Sequence, residues 1–336
     1  VFRTFTSANR GKRSIRLDLK QPQGLAAALT LCRDADLVTS NFRPGVAARL
    51  GIGADALHAM KPELIVLEAS GFGTSGPAIG RPAFDMILQS RCGHEVHGGG
   101  QGGVPLWSRL AMVDYGCGFL GAVAALLALI YRGRSGNGAR LDISLLETGL
   151  YLFSEMIRQP DGTFDGIRPL DPSQTAFTPA QALYEARDGW IALAVLTEAG
   201  ARNLAAILGS TKLACHPREW TEAQRATIAE AVASTDRDEL LAKIANTGVW
   251  AVSAHSDAEA RVLNDPGLIA HGTIHRYEHP EFGWIHETGA LYRFSRSTRG
   301  SSDGPPALGQ HTREVLQEIG YTTTEINTLI ANATAV

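Results

Sequence analysis

The apolar positions of this chain change their period several times within the first seventy residues. SIRLDL (14–19) alternates polar and apolar and predicts a strand. The stretch 24–33 has helical spacing, 36–40 reads as a short strand, and 46–60 returns to helical turns. LIVLEA (64–69) is apolar enough for a buried strand. The order βαβαβ predicts an α/β fold, a parallel sheet with helices on its faces. In such sheets the ligand crevice lies beyond the carboxyl ends of the strands. Those ends are LDLK (17–20), NFRPG (41–45) and SGFGTSGP (70–77).

Further along, GHEVHGGGQGGVP (93–105) predicts a surface loop. The apolar run from Phe119 to Tyr131 predicts a buried helix, and it is shorter than the roughly 20 residues a bilayer span needs. A strand at 139–143 and another helix follow. Residues 161–179 are rich in Pro, Gly, Asp and Thr and predict a linker. A hairpin over 182–195 turns at Arg187-Asp188-Gly189. Helices are expected at 199–209, 221–233 and 237–246, strands within 272–294, a polar linker at 295–306 and an amphipathic helix at 312–319. These elements set the expected domains: a large one over 1–160, a linker over 161–181, a small α+β domain over 182–294, and a tail, 295–336, whose helix returns to the large domain. There is no internal repeat.

Composition narrows the class. With 336 residues, 44% hydrophobic, 19% charged and a net charge of −3, the chain reads as a two-domain soluble enzyme with neither a nucleic-acid nor a membrane partner. Cys32, Cys92, Cys117 and Cys215 form no CxxC pair, which points to a reducing, cytoplasmic setting and to neither disulfides nor zinc. The sequence begins at Val1 rather than Met, so it does not test for a targeting segment. The ten histidines show no HExxH spacing, and His94 and His97 read as solvated loop residues. The glycine loops match neither GxGxxG nor the Walker pattern.

The chemistry-bearing residues are few. Asp114 stands just before the apolar run, where a carboxylate caps a helix. Such a carboxylate is at once ionised, fixed and open to a crevice, so the place also suits a nucleophile. The glycines of Tyr115-Gly116-Cys117-Gly118 leave backbone N–H groups approachable by an oxyanion. Lys20 and Arg43 both fall at expected strand ends, and two cations on one crevice suit a phosphate-bearing ligand. Cys117 reads as a small packing residue.

Several motifs occur in one order: NRGKRSIRLDLK, NFRPGVAARLG, LIVLEASGFGTSGP, PAFDMILQSRCG, MVDYGCGFLGAVAALLALIYRGRSGNGARLDISLLE, ALYEARDGWIALAV, NDPGLIAHGT and LGQHTREVLQEIGY. Together they resemble the family III acyl-CoA transferases, typified by formyl-CoA and carnitine CoA-transferases, from about Asn9 to Tyr321. The resemblance implies a Rossmann-like large domain built from both chain ends, a smaller domain and an interlocked homodimer. It implies Asp114 as nucleophile. It implies CoA contacts at Leu17, Asp18, Leu19, Lys20, Asn41, Phe42, Arg43, Arg49 and the segment from Arg81 to Phe84. The partners would be an acyl-CoA donor and a small carboxylate acceptor, with the CoA thioester as substrate and no permanently bound cofactor or metal.

Two departures bear on this. Family members open with a further strand, loop and helix that supply CoA and substrate contacts, and the resemblance begins after them. That keeps a catalytically silent CoA-binding homologue as an alternative. The formyl-CoA branch has a glycine-rich loop where this chain reads SQTAFTPAQALYEA, which disfavours formyl-CoA and oxalate. A second alternative is an acyl-CoA racemase of the same superfamily, but racemases carry a His-Asp pair where this chain has Phe84-Asp85.

Overall fold

Three short strands, β1 (Leu37–Ser40), β2 (Ile65–Ser70) and β3 (Ala139–Ser144), pair in parallel in the order β1-β2-β3. The computed structural model describes residues 3–166, 170–279, 282–292, 294–296 and 304–336. Helices α1 (Arg3–Ala8) and α2 (Pro22–Asp34) precede the sheet, and α2 starts on a proline that needs no N–H donor there. Between β1 and β2 lie α3 (Val46–Arg49) and α4 (Ala54–Met60). Between β2 and β3 lie α5 (Asp85–Cys92), α6 (His94–Gly98) and α7 (Met112–Ser135). Helix α8 (Leu145–Leu152) follows β3.

The chain divides into two compact units. The first gathers residues 1–84, 113–148 and 259–336, and so draws on both chain ends. Its core packs Leu57, Leu64 and Val66 under Leu29 and Val38. A second cluster joins Ala27 of α2 to Leu316 of α14 (Thr312–Glu318) and to Ile326 and Leu329 of α15 (Thr323–Ala331). The expected strand at 14–19 does not form. Leu17 makes an isolated bridge to Ala335, and the Asp18 N–H donates to the Thr334 carbonyl at 2.8 Å. The segment alternates as a strand would, but what it meets is the C-terminal tail rather than a sheet.

Helix α7 also departs from expectation. Val113, Cys117, Gly121, Ala125 and Ala128 form its buried stripe, and all are small or medium-sized. Phe119, Val123, Leu126, Leu127, Ile130 and Tyr131 are exposed. The apolar run is therefore buried along one face only. It lies within a helix of 24 residues which, by length and composition alone, is long enough to cross a bilayer. The run underestimates the helix because Met112 to Gly118 join it.

The second unit takes residues 85–112 and 149–258. It contains the small pair β4 (Ile157–Arg158) and β5 (Phe164–Asp165), then an antiparallel sheet of β6 (Ala176–Thr178), β7 (Gln181–Ala186), β8 (Gly189–Ala194) and β9 (Trp250–Ala254). The hairpin closes on Arg187-Asp188, with Ala186 opposite Gly189. Tyr184, Ile191 and Leu193 face a core completed by α9 (Glu198–Ile207), α10 (Glu222–Ala233) and α11 (Arg237–Ile244).

The unit borders differ from those read off the sequence. Residues 161–181 contribute β5 and β6, and residues 259–294 fall with the first unit, where α12 (Ala258–Leu263), α13 (Pro266–Ala270), β10 (Ile274–His279) and β11 (Gly283–Thr288) lie. Composition marks these stretches as polar but does not show what they pack on. The Gln101 N–H donates to the Leu170 carbonyl, tying the glycine-rich segment to 170–174. Arg10 donates to the Thr288 carbonyl and pairs with Glu287, tying β11 to the N-terminal region. Much of the expected linker at 295–306 lies outside the described residues. The 93–105 segment is not a featureless loop, since it holds α6 and close backbone contacts. Gly100 sits at φ +81°, and a Cβ there would fall 2.3 Å from the Asp171 carbonyl oxygen. His94 packs on Phe153, its ring nitrogen 2.9 Å from the Gly149 carbonyl, rather than standing in solvent.

Asp171 anchors the supposed linker. Burial pushes its carboxyl up, but the Arg225 guanidinium at 2.8 Å and the N–H groups of Ala176 and Thr175 outweigh this and hold it well below the usual range. Its stabilising contribution is therefore whole above about pH 4 and fades as the pH falls through the lower folded-state value. We expect Asp171→Asn to destabilise the protein by about 2 kcal/mol at neutral pH, with the gap from the wild type closing in acid. Urea melts from about pH 7 down to about pH 3 check this.

Candidate active site

The carboxyl ends of the parallel strands open into a cleft of about 830 Å³, and its whole lining belongs to the first unit. Asn41, Phe42 and Arg43 follow β1, Ser70 to Gly73 end β2, and Ile143 and Leu145 lie at the end of β3. Gly80 to Phe84 form one wall, and Asp114, Cys117, Gly118 and Gly121 of α7 form another. This is the place the strand order assigns to a ligand.

Small residues hold these walls close. A Cβ on Gly121 would touch the Leu67 side chain at 3.8 Å, so α7 lies against β2. A Cβ on Gly71 would fall 2.1 Å from the Ala83 Cβ, so the 80–84 segment crosses the end of β2 at a distance only glycine permits. The Leu146 N–H donates to the Gly71 carbonyl at 3.0 Å and fixes that strand end from the other side.

Asp114 is exposed and is the third residue of α7, in its first turn rather than at the cap. The helix dipole favours its negative charge there. Gly116 and Gly118 lie inside the helix, where their N–H groups belong to the i→i−4 ladder, so they are not the oxyanion donors the sequence suggested. Cys117 is buried one turn below Asp114. Burial pushes its thiol up and the Asp114 carboxylate adds to this, against a hydrogen bond with Thr148. The thiol stays protonated, and Asp114 is the nucleophile-capable group of this wall.

The site residues read from the sequence divide in two. The cleft brings together Asp114, Asn41, Phe42, Arg43, Arg81 and Phe84. Leu17, Asp18, Leu19 and Lys20 do not line it, because their segment joins the C-terminal tail rather than the sheet. Arg49 does not line it either; it lies at the end of α3 with its guanidinium beside Gly45. Of these cations, Lys20 does not line the cleft, and Arg43 and Arg81 do. Neither has an ion-pair partner among the described residues. Two unpaired guanidiniums in one cleft suit phosphate or carboxylate ligands. The sequence reading missed the contact of Gly71 with Ala83, for which SGFG was the available signal.

One cleft of this α/β unit thus has an acid, Asp114, and two arginines, Arg43 and Arg81, in its lining. The chain belongs to CoA-transferase family III, whose family model matches residues 3–312. It is 32% identical to an acyl-CoA transferase of Fusarium pseudograminearum over 94% of this chain and 71% of that one. It is 31% identical to the succinyl-CoA–D-citramalate CoA-transferase of Chloroflexus aurantiacus over 92% of this chain and 79% of that one. Among solved structures, a CaiB/BaiF family protein from Brucella suis superposes with a TM-score of 0.76 at 25% identity, covering 94% of this chain and 83% of the other.

Because Gly71 has no room for a methyl group, Gly71→Ala should push the 80–84 segment off the strand end. We expect it to weaken acyl-CoA affinity by about tenfold, with a loss of stability of about 1–3 kcal/mol. Calorimetric titration with CoA and a thermal melt measure the two effects.

Proposed function

We propose that this enzyme moves CoA from an acyl-CoA thioester to a free carboxylate through acylation of Asp114. The observation that carries the reading is that Asp114, Arg43 and Arg81 line one cleft beyond the strand ends. The guanidiniums suit the phosphates of CoA and a carboxylate of the acyl group. The Chloroflexus relative is named for succinyl-CoA, which makes succinyl-CoA the first donor to test.

A carboxylate oxygen of Asp114 attacks the thioester carbonyl, the C–S bond breaks, and CoA thiolate leaves a mixed anhydride. The thiolate then attacks the aspartyl carbonyl, releasing the donor's carboxylate and leaving an aspartyl-CoA thioester. The acceptor carboxylate attacks that thioester, its C–S bond breaks, and CoA thiolate leaves a second anhydride. The thiolate finally takes the acceptor's acyl group and frees Asp114. A serine in this position would form an ester too stable to return to a thioester, whereas an anhydride keeps the acyl group activated.

An anhydride survives only where water is excluded. In one chain Asp114 is exposed, as are the large residues of α7. A second copy covering Phe119, Leu126, Leu127 and Ile130 buries that face, so the reading includes a homodimer.

Asp114→Asn should lower turnover at least about 10³-fold while leaving CoA affinity within about twofold. Hydroxylamine trapping during turnover with succinyl-CoA should modify the peptide carrying Asp114; an unmodified peptide or an active Asp114→Asn variant rejects the mechanism. Leu127→Asp should shift the protein towards monomer in sedimentation, and a wild type that sediments as a monomer rejects the dimer.

A further inference from the structure

Gln89 of α5 is completely buried. Its Nε2 lies 3.2 Å from the Leu110 carbonyl oxygen and 3.4 Å from that of Ser108, and it also donates to Asp85 Oδ1 one turn earlier. Three oxygens around one end of the amide identify that end as the nitrogen. The other end, Oε1, is buried with no hydrogen-bond partner among the described residues. A methionine would fill nearly the same volume without stranding an acceptor. Packing alone therefore does not account for an amide here.

What the amide supplies is a hold on the backbone. Residues 104–111 have no regular structure, and within them the Ser108 hydroxyl also donates to the Leu110 carbonyl at 3.4 Å. The Leu110 carbonyl that Gln89 reaches also accepts the Met112 N–H at 2.8 Å. Met112 opens α7, and Asp114 follows two residues later. Asp85 takes one of the two N–H donors of Gln89 and leaves the other to be shared between these carbonyls.

We propose that Gln89 is a positioning residue for Asp114: by holding the Ser108 and Leu110 carbonyls it fixes the first turn of α7 and so the approach of the Asp114 carboxylate. The inference rests on the reading of Asp114 as the acylated group. Attack on a thioester needs near-contact geometry, and a displacement of about 1 Å costs up to about 10²-fold in rate. Binding of CoA itself does not depend on that approach.

The test compares wild type, Gln89→Met and Gln89→Glu in single-turnover acylation by succinyl-CoA, scored by mass spectrometry of the Asp114 peptide. Gln89→Met should melt at or above the wild-type temperature, bind CoA within about twofold of wild type, and acylate at least about tenfold more slowly. Gln89→Glu supplies a second signature. Buried beside Asp85, its carboxyl is pushed up, and only its protonated form has a hydrogen to offer the loop carbonyls. Its acylation rate relative to wild type should therefore rise as the pH falls from about 8 to about 6. A Gln89→Met enzyme acylating within about twofold of wild type overturns the proposal, as does a parallel loss of CoA affinity. So does a Gln89→Glu ratio flat with pH, which decides the matter alone if Gln89→Met does not fold. If wild type carries no label on Asp114, the reading of Asp114 falls first and this inference falls with it; label on wild type with unimpaired variants rejects this inference alone.

Discussion

The closeness of α7 to β2 is the constraint on which the first unit depends. Its buried stripe is built from Val113, Cys117, Gly121, Ala125 and Ala128, and Gly121 lies against Leu67. Larger residues there would lift the helix from the sheet. Because the stripe begins at Val113, seating the helix also brings Asp114 to the carboxyl ends of the strands. One packing arrangement thus sets both the core and the position of the acid. The same thrift with volume recurs at Gly71, where the 80–84 segment crosses the end of β2.

Much of this was legible in the sequence, for identifiable reasons. LIVLEA and its neighbours showed the parallel sheet because buried strands carry continuous apolar runs. The rule for crevices in such sheets then located Asn41, Phe42 and Arg43 without any coordinates. Asp114 was visible because a charge beside a long apolar run is rare. What failed were inferences that needed a partner to be known. SIRLDL has a strand's alternation, yet it meets Ala335 near the chain end, and no local pattern reports that. The supposed linker around Asp171 is polar in composition and ordered in fact, because Arg225 and backbone N–H groups satisfy it from elsewhere in the chain. The outward face of α7 misled for the opposite reason: apolar residues read as core whether their cover comes from the same chain or from outside it.

Gln89 shows a third kind of illegibility. In PAFDMILQSRCG it reads as one polar position on a weakly amphipathic helix. Its burial, and the carbonyls of Ser108 and Leu110 that it serves, appear only when the chain has turned back on itself. Buried polar atoms left partly unsatisfied are where a packing account stops and a functional one begins.

The proposed mechanism makes particular demands on Asp114. In it the acid would attack a carbonyl and later depart from one, so it would have to be a competent nucleophile and a good leaving group at once. A position in the first turn of a helix stabilises its anion. That tempers the attack slightly and favours the departure. The neighbouring thiol would suit neither role, because burial and the Asp114 charge keep it protonated. The carboxylate thus stands one turn from a protonated cysteine, on a helix pressed against a sheet. Arg43 and Arg81 line the same cleft, and in the proposed reaction their positive charge would draw an anionic thioester towards Asp114.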